Sequence, residues 1–225
     1  YMSGNPDLKP ETIHDLTLSG SYKWLQFMIS YQREKDAILY ITEQYKKNPA
    51  ITTVTHRNFN RIDNFSAFLT ASPAVGSWHP QLTVGVQKQW AKIEHNGETL
   101  QMDTPLFFCT LNNGIQLPYH WTLSTDINFQ SKGDYQNIYM YQNVFMMNAT
   151  LTKSFLNEHL SIHLQGIDLT HGRKDGNRIY NKHMNMDVAN VSDSRELRFT
   201  IRYKFNTAKS KYKGKGAATE EIKRL

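Results

Sequence analysis

Two histidines at a four-residue spacing, His159 and His163, are the first candidates for chemistry, because His-x-x-x-His on a helix chelates zinc. Leu160, Ile162 and Leu164 alternate with them, which indicates a strand instead. Along a strand the two imidazoles stand about 13 Å apart. We therefore expect polar residues on a solvated face, with no metal site and no cofactor.

Acid/base catalysis needs paired carboxylates, and the acidic residues of this chain fall singly on the polar faces of predicted strands, as Asp63, Asp126 and Glu196 do. The chain has no G-x-S-x-G elbow, Walker loop or CxxC pair. Its one cysteine, Cys109, lies on the apolar side of a predicted strand, which favours a small hydrophobic residue over a nucleophile. The sequence predicts no catalytic residue and a protein that is not an enzyme.

A charged pair, Arg198 and Arg202, lies on the polar face of the last predicted strand together with Glu196 and Lys204. Two guanidinium groups at this spacing are suited to paired carboxylates on another domain. Solvated charge on a water-filled surface is an equally good interpretation.

The loop sequence His-Met-Asn-Met at 183–186 has two readings, ligand contact and loop filler. Ligand-binding residues therefore stay unknown from the sequence. Binding loops vary freely on a constant scaffold, so the identity of a ligand, whether iron chelate, glycan or vitamin, is not readable either.

Length and composition bound the class of protein. The chain has 225 residues, of which 39% are hydrophobic and 20% charged, with a mean hydropathy of -0.59 and one cysteine. These values exclude disorder, collagen repeats and disulfide scaffolds. The longest apolar run, at 37–41, is far shorter than the roughly 20 residues of a spanning helix. Spanning helices are excluded, and spanning strands are not.

The net charge of +6 is concentrated at the C-terminus. Residues 204–225 contain seven Lys and Arg against two Glu, so the rest of the chain is close to neutral. Tyr212 is the only aromatic residue of the tail beyond Phe205, and a nucleic-acid arm interleaves more of them. We expect two units: a barrel portion at 1–206 and a basic, solvated tail at 207–225, with no nucleic-acid partner.

Alternation of apolar and polar residues is the dominant pattern. In the clearest segment, Leu197, Phe199, Ile201 and Tyr203 point one way while the residues between them point the other. The same test along the chain predicts nine antiparallel strands, at 13–23, 24–43, 51–72, 80–94, 105–117, 120–131, 138–154, 159–170 and 194–206.

The connections alternate in length, and the short ones all fall at one end of the sheet. Longer links are predicted at 44–50, 95–104, 132–137 and 171–193. Aromatic residues mark both ends of the strands: Tyr22, Trp24, Trp78, Tyr119, Trp121, Phe155, Tyr203 and Phe205 at the short-turn end, and Tyr40, Trp90, Phe129, Tyr139 and Tyr141 at the other. Short turns on one side, long loops on the other and two aromatic girdles are typical of a transmembrane β-barrel.

Two lysines conflict with a lipid-facing surface, since Lys88 and Lys153 lie on the predicted apolar face. Each is within a few residues of a strand end, where a long stem brings the ammonium to the interface. Thr125 is the polar exception on the apolar side of its strand.

A soluble antiparallel sandwich or a lipocalin-like barrel also buries one face of every strand. Strand length favours the membrane, because soluble strands usually have about five or six residues and several here have ten or more. Nine antiparallel strands do not close on themselves, and open edges in hydrocarbon are costly. We therefore expect further strands before Tyr1, and a targeting signal upstream of them.

The sequence GNPDLKPE at 4–11 resembles the GNPxLKPE motif that precedes a late barrel strand in TonB-dependent outer-membrane receptors. The segment from Arg195 to Phe205 resembles their last strand, and the Lys/Gly tail ending EEIKRL resembles receptors of Bacteroidetes-type bacteria. One departure is that about twenty residues follow Phe205, whereas outer-membrane proteins often end at an aromatic residue.

The resemblance implies the last nine of 22 barrel strands, with an N-terminal plug in the lumen and energy delivered by TonB. The implied partners are the outer-membrane bilayer, the preceding strands and plug, TonB through the preceding region, and a small-molecule or glycan ligand. The implied role is uptake of a scarce nutrient across a Gram-negative outer membrane, with the tail in the periplasm. The alternatives are a plugless porin-like or adhesion barrel and a soluble carbohydrate-binding β-sandwich.

Overall fold

The computed structural model describes residues 4–45, 48–95, 97–181 and 184–205. They form fourteen strands and one short 3-10 helix, Pro118–His120. In chain order the strands are β1 (Thr12–Tyr22), β2 (Leu25–Tyr45), β3 (Asn48–Ala71), β4 (Trp78–His95), β5 (Glu98–Met102), β6 (Leu106–Leu117), β7 (Trp121–Gln130), β8 (Gly133–Tyr135), β9 (Ile138–Met140), β10 (Val144–Phe155), β11 (Leu160–Ile167), β12 (Lys174–Tyr180), β13 (Asn185–Val191) and β14 (Glu196–Tyr203).

Nine long strands make one antiparallel meander in the order β1-β2-β3-β4-β6-β7-β10-β11-β14. Each strand pairs with the next long strand along the chain. The predicted all-β, antiparallel fold is therefore confirmed. Within the described residues β1 and β14 are the two ends of this sheet, each paired on one side.

The register aligns apolar residues into rows that cross the sheet. One row runs through Leu123, Leu151, Leu164 and Phe199 on four successive strands. The next row along the strands, on the opposite face, is polar and contains Thr122, Thr152, His163 and Thr200. The sheet thus has one apolar face and one polar face.

The apolar face is bare over the described part of the chain. Leu16 is 75% exposed and Leu197 76% exposed, at opposite ends of the sheet. A soluble sandwich buries such rows against a second layer. The second, smaller sheet packs elsewhere, as described below, so the sandwich interpretation is not supported. None of the described helices is long and apolar enough to cross a membrane.

Polar groups on the apolar face are satisfied locally. Asn113 donates its side-chain N–H to Oγ1 of Thr125 (3.0 Å) and accepts one from the indole of Trp78 (3.2 Å). Asn113 and Thr125 face each other directly across β6 and β7. The predicted exception at Thr125 is therefore half of a hydrogen-bonded pair, which lowers the cost of a polar group against lipid.

Lys153 reaches the short-turn end as its stem length predicts. Its ammonium lies 5.0 Å from the ring centre of Trp121 and 5.5 Å from that of Phe155, and it donates a hydrogen bond to the carbonyl oxygen of Tyr119. Lys88 lies 5.4 Å from the ring centre of Trp90, at the other end. Both charges thus leave the middle of the apolar face.

The predicted long loops contain structure that alternation did not reveal. β8, β9, β12 and β13 form a four-stranded sheet in the order β13-β12-β9-β8, and β5 extends β4 as a hairpin. The predicted strand at 138–154 is wrong, because it divides into β9 of the small sheet and β10 of the large one. The predicted link at 44–50 is too long, since β2 reaches Tyr45 and β3 starts at Asn48.

The buried core lies at the long-loop end, where β2, β3 and β4 project beyond the rest of the sheet. It contains Ala37, Leu39, Ile62, Ala91, Ile93 and Met102, with Tyr139 and Tyr180 of the small sheet packed against it. Tyr139 therefore belongs to this core and not to an aromatic girdle, which corrects the prediction from spacing.

One residue changes the face that β2 presents. Arg33 and Lys35 are exposed on the apolar side, yet Ala37 and Leu39, with the same odd numbering, are buried in the core. Ile62 of β3 and Ala91 of β4 belong to the same core, and both stand at alternate positions that lie on the polar face further down their strands. The change occurs at Asp36, whose φ of 55° is in the left-handed region. Above Asp36 the strand therefore packs its odd residues against the loops.

Candidate ligand-binding vestibule

The polar face of the large sheet carries hydroxyl, amide and charged side chains on every strand. Neighbours on it are hydrogen bonded across strands: Oγ1 of Thr70 and Thr83 are 2.9 Å apart, and Thr110 donates to Asn128 at 3.2 Å. A surface of this kind suits a water-filled lumen, since each group has a partner in the protein or in water.

Two asparagines fasten the small sheet over the top of this face. Asn137 donates its side-chain N–H to the carbonyl oxygens of Tyr40 (2.9 Å) and Tyr180 (3.1 Å). Asn181 accepts the backbone N–H of Thr42 on its side-chain oxygen at 2.6 Å. Both asparagines are buried, so these bonds form away from competing water.

Gln89 on the polar face of β4 makes a reciprocal pair with the loop before β9. Its side-chain N–H donates to the carbonyl oxygen of Gln136 at 2.8 Å, and its side-chain oxygen accepts the backbone N–H of Gln136 at 2.6 Å. Gln89 is fully buried. The small sheet therefore lies on the polar side of β4, above the lumen.

A cavity of about 310 Å³ lies between the polar face and the small sheet. Gln130 and Met146 come from the large sheet, and Met140, Arg173 and Asn177 come from the loop side. Its lining combines apolar surface with amide groups and one guanidinium, which is the usual make-up of a small-molecule site. Inside it, the side-chain N–H of Gln130 lies 2.8 Å from the sulfur of Met140.

Two glycines keep the backbone close beside this cavity. A Cβ at Gly176 would lie 2.5 Å from the ring of Tyr141. A Cβ at Gly172 would lie 1.5 Å from the carbonyl oxygen of Phe145. Gly172 has no room for a side chain because the clash is with backbone, whereas at Gly176 the outer end of the Tyr141 ring would have to move.

Asp168 organises the loop that follows β11. The residue is only 2% exposed. Its carboxylate accepts hydrogen bonds from the backbone N–H groups of Gly172 (2.8 Å) and Arg173 (3.3 Å) and from the hydroxyl of Ser194. Burial raises the pKa of this carboxyl, but the hydrogen bonds from Ser194, Gly172 and Arg173 outweigh burial and hold the pKa below its usual range. The ionised form therefore holds the loop together.

The carboxyl of Asp134 in the small sheet has the opposite shift. Burial raises its pKa above the usual range, although its side-chain oxygen accepts the backbone N–H of Thr104 at 2.8 Å.

On the exposed side of the same sheet, Arg178 and Asp187 are direct cross-strand neighbours with two hydrogen bonds of 2.6 and 2.8 Å. This bidentate pair lowers the pKa of Asp187.

The GNPDLKPE segment docks on the projecting hairpin of β2 and β3. Asn5 donates its side-chain N–H to the carbonyl oxygen of His56 at 2.9 Å, and Glu11 accepts the backbone N–H of Ile38 at 2.8 Å. The segment enters β1 at Thr12, which pairs with Lys35 next to the face change. The motif thus ties the start of β1 to the loop end of the sheet.

The residues singled out by the sequence lie apart. His163 is on the polar face, with Oγ1 of Thr152 and Oγ of Ser161 each 2.9 Å from its ring nitrogens. His159 is at the short-turn end, 3.5 Å from the carbonyl oxygen of Lys204. Among the described residues no group of three His, Cys, Asp or Glu is placed to hold a metal ion.

The two arginines of the last strand, Arg198 and Arg202, have different surroundings. Arg198 makes two hydrogen bonds, of 2.9 and 3.0 Å, to Glu196 on its own strand, and both side chains are half exposed. Arg202 is exposed.

Of the loop sequence at 183–186, His183 lies outside the described residues, and Met184 and Met186 are partly buried. The tail predicted at 207–225 also lies outside them.

Four residues, Gln89, Asn137, Asp168 and Asn181, hold the small sheet and the loop after β11 beside the polar face and so build the vestibule, and none of them is identified by the sequence alone. Alternation makes Gln89 one more polar residue of a predicted strand, places Asp168 in the predicted strand at 159–170, and leaves Asn137 and Asn181 in predicted links. Gln89 lies within β4, whereas Asn137, Asp168 and Asn181 are short polar residues next to a strand end, which is where side chains satisfy backbone groups. That placement was the available signal.

Comparisons with known proteins agree with this architecture. The sequence profile described as the outer membrane protein beta-barrel family matches residues 1–203. The crystal structure of the outer membrane transporter YddB from Escherichia coli is similar with a TM-score of 0.53 and 12% identity. The similarity covers 88% of this chain and 33% of YddB, so the chain spans about a third of that protein. At this identity the likeness shows the fold alone. No curated protein matches the chain.

Proposed function

Because the chain belongs to the outer membrane protein beta-barrel family, we propose that it is the C-terminal barrel portion of a TonB-dependent transporter that takes up a scarce nutrient. Family membership places the strands in the outer-membrane bilayer, with lipid on the apolar face. The finer part of the proposal, dependence on TonB and on a plug, is supported by the resemblance of residues 4–11 to the GNPxLKPE motif.

The observation that carries the transporter proposal is the small sheet fastened over the polar face. Asn137, Asn181 and Gln89 hold it there through buried hydrogen bonds. A passive pore conducts best when its mouth is open, whereas a receptor needs a built surface above the lumen to capture its ligand. The cavity beside Gln130 and Arg173 supplies a concave site of about 310 Å³ at this level.

The lumen side of β14 supports contact with a further domain. Arg202 is exposed there, and Glu196 and Arg198 are half exposed beside it. A plug domain packed into the lumen would meet this charged strand with its own carboxylates and amides. The role of this chain in that arrangement is to bind and orient, without covalent chemistry.

The direct experiment uses the full-length protein in detergent and the purified periplasmic domain of TonB. We expect the two to form a complex in a pull-down, and we expect loss of the complex when the region before the barrel is deleted. A full-length protein that never binds TonB contradicts the proposal.

The porin-like alternative is tested by conductance. In planar bilayers a plugged transporter leaves the membrane nearly silent, whereas an open barrel of many strands gives stable steps. Large steady channels from the native full-length protein would favour passive conduction over energised uptake.

A further inference from the structure

Charged side chains gather on the apolar face at the long-loop end of β2, β3 and β4. The register places Arg33, Asp63 and Trp90 in one row across β2, β3 and β4. The row above it contains Lys35 and Arg61, and the row below contains Lys88 opposite Phe65. We call the surface of Arg33, Lys35, Arg61, Lys88, Trp90 and Lys92, with Asp63 at its centre, the basic rim.

Asp63 orders the two guanidinium groups of the rim. Its Oδ1 accepts hydrogen bonds from Nε of Arg33 (2.9 Å) and from the hydroxyl of Tyr31 (2.7 Å), and its Oδ2 accepts one from Nε of Arg61 (2.5 Å). The Asp63 side chain is 10% exposed, against 46% for Arg33 and 53% for Arg61. The carboxylate is therefore shielded, while both cations present their outer edges to the surroundings.

The rim has more positive charge than Asp63 neutralises. Five cations, Arg33, Lys35, Arg61, Lys88 and Lys92, stand against Asp63 and the nearby Asp103 and Glu94, so the balance stays positive. A surface depression of about 400 Å³ lies among Arg61, Trp90, Lys92 and Asp103. The excess charge and the concave shape together favour an anionic group.

The height of the rim places it at the outer lipid headgroups. From Ala71 at the short-turn end to Asp63 is eight residue steps along β3, which at a tilt near 40° rise about 20 Å. An apolar band is about 25 Å tall, so the rim lies near its upper limit. Net charge at the bilayer centre is costly, whereas at headgroup level it meets lipid phosphates and water. The exposed indole of Trp90 is also typical of this level.

We propose that the basic rim binds the phosphate groups of a phosphorylated lipid in the outer leaflet. A guanidinium held by a carboxylate keeps its remaining N–H groups directed outward, and guanidinium groups recognise phosphate through paired hydrogen bonds. Lys35, Lys88 and Lys92 add point charges around them, and Trp90 contacts the upper acyl chain. The proposal rests on the outer-membrane location and is independent of TonB.

The test measures lipid binding to the full-length protein in a neutral detergent by native mass spectrometry and by thermal unfolding. The probes are diphosphorylated lipid A, the same lipid after removal of its phosphates, and inorganic phosphate. We expect the diphosphorylated lipid to bind and to raise the unfolding temperature, and the dephosphorylated lipid to bind at least tenfold more weakly.

The main variant, K35Q/K88Q/K92Q, keeps Asp63 and both arginines, so the ordered centre of the rim stays intact. We expect at least a tenfold loss of affinity for the diphosphorylated lipid. The matched control K23Q/K132Q/K204Q removes the same number of charges away from the rim and retains the wild-type affinity. Adding R33Q and R61Q to the main variant deepens the loss.

Three outcomes overturn the proposal. Equal binding of lipid with and without phosphates means that the face selects acyl chains only. Equal stabilisation by inorganic phosphate means that the source is free phosphate and not a lipid. An equal loss in the control variant means that the effect is one of net charge. Because none of these measurements involves TonB or a nutrient, failure here leaves the proposed transport function standing.

Discussion

Asn58 and Lys9 hold each other by two reciprocal hydrogen bonds. The backbone N–H of Lys9 donates to Oδ1 of Asn58 at 2.8 Å, and Nδ2 of Asn58 donates to the carbonyl oxygen of Lys9 at 2.9 Å. The same Nδ2 lies 2.7 Å from the carbonyl oxygen of Asp36. One amide thus joins the GNPDLKPE segment, β3 and the residue at which β2 changes face.

The change Asn58→Asp tests this junction with almost no change of volume. The carboxylate still accepts the N–H of Lys9, but it places an oxygen against two carbonyl oxygens. We expect a loss of about 1–3 kcal/mol in local stability and faster amide exchange at residues 5–11 than in the wild-type protein. Asn60→Asp, two residues along the same strand, is the control and should leave that exchange unchanged. Equal exchange in both variants would show that Asn58 is not the anchor.

The loop held by Asp168 should respond to acid. Since the pKa of Asp168 is depressed in the folded protein, its stabilising effect is present above the ordinary aspartate pKa and is lost as the pH falls through the lower, folded value. We expect protection of the Gly172 amide, corrected for intrinsic exchange, to decrease below about pH 4. Asp168→Asn should give weaker protection with little further dependence on pH. A wild-type loop that stays protected at low pH would rule out the ionised clamp.

Gly172 and Gly114 form a matched pair for testing close packing. A Cβ at Gly172 would meet the carbonyl oxygen of Phe145, whereas nothing lies within 4 Å of a Cβ at Gly114. We expect Gly172→Ala to destabilise the protein by about 1–3 kcal/mol and Gly114→Ala to stay within about 0.5 kcal/mol of wild type. Urea unfolding in lipid vesicles measures both. Similar stabilities of the two variants would argue against the approach of the loop to Phe145.

A double-mutant cycle can measure the interaction free energy between Asn113 and Thr125 on the apolar face. Removing one partner leaves the other polar group against lipid, so Asn113→Leu and Thr125→Val should each destabilise the barrel. The coupling between them should be about 0.6 kcal/mol, the average for hydrogen bonds in membranes, and no more than about 1.7 kcal/mol. The double variant should recover part of the loss. Strictly additive effects would mean that the 3.0 Å contact carries no energy.

Much of the large sheet follows from the sequence, because one face of each strand must be apolar and the other polar. Leu197, Phe199 and Ile201 lie on the apolar face of β14 as alternation predicts, and the exception at Thr125 is explained by its hydrogen bond to Asn113 on the neighbouring strand β6. Strand order follows as well, since short connections make successive strands neighbours.

The vestibule did not follow from the sequence, because its contacts join distant segments. Asn181 and Thr42 are 139 residues apart, and Asn137 and Tyr40 are 97 apart. Strands as short as Gly133–Tyr135 carry no detectable period. The face change at Asp36 has no glycine to mark it, so alternation continued past this residue predicts the wrong side for Leu39.

The left-handed backbone conformation of Asp36 also limits which insertions and deletions related sequences can tolerate. A deletion of one residue above it would turn Leu39 and Ile41 away from the core while leaving the lipid-facing half in register. A deletion of two would preserve the packing and shorten the hairpin. Related barrels should therefore differ in the upper parts of these strands by even numbers of residues, which would let the ligand-facing end change size while the membrane half is inherited intact.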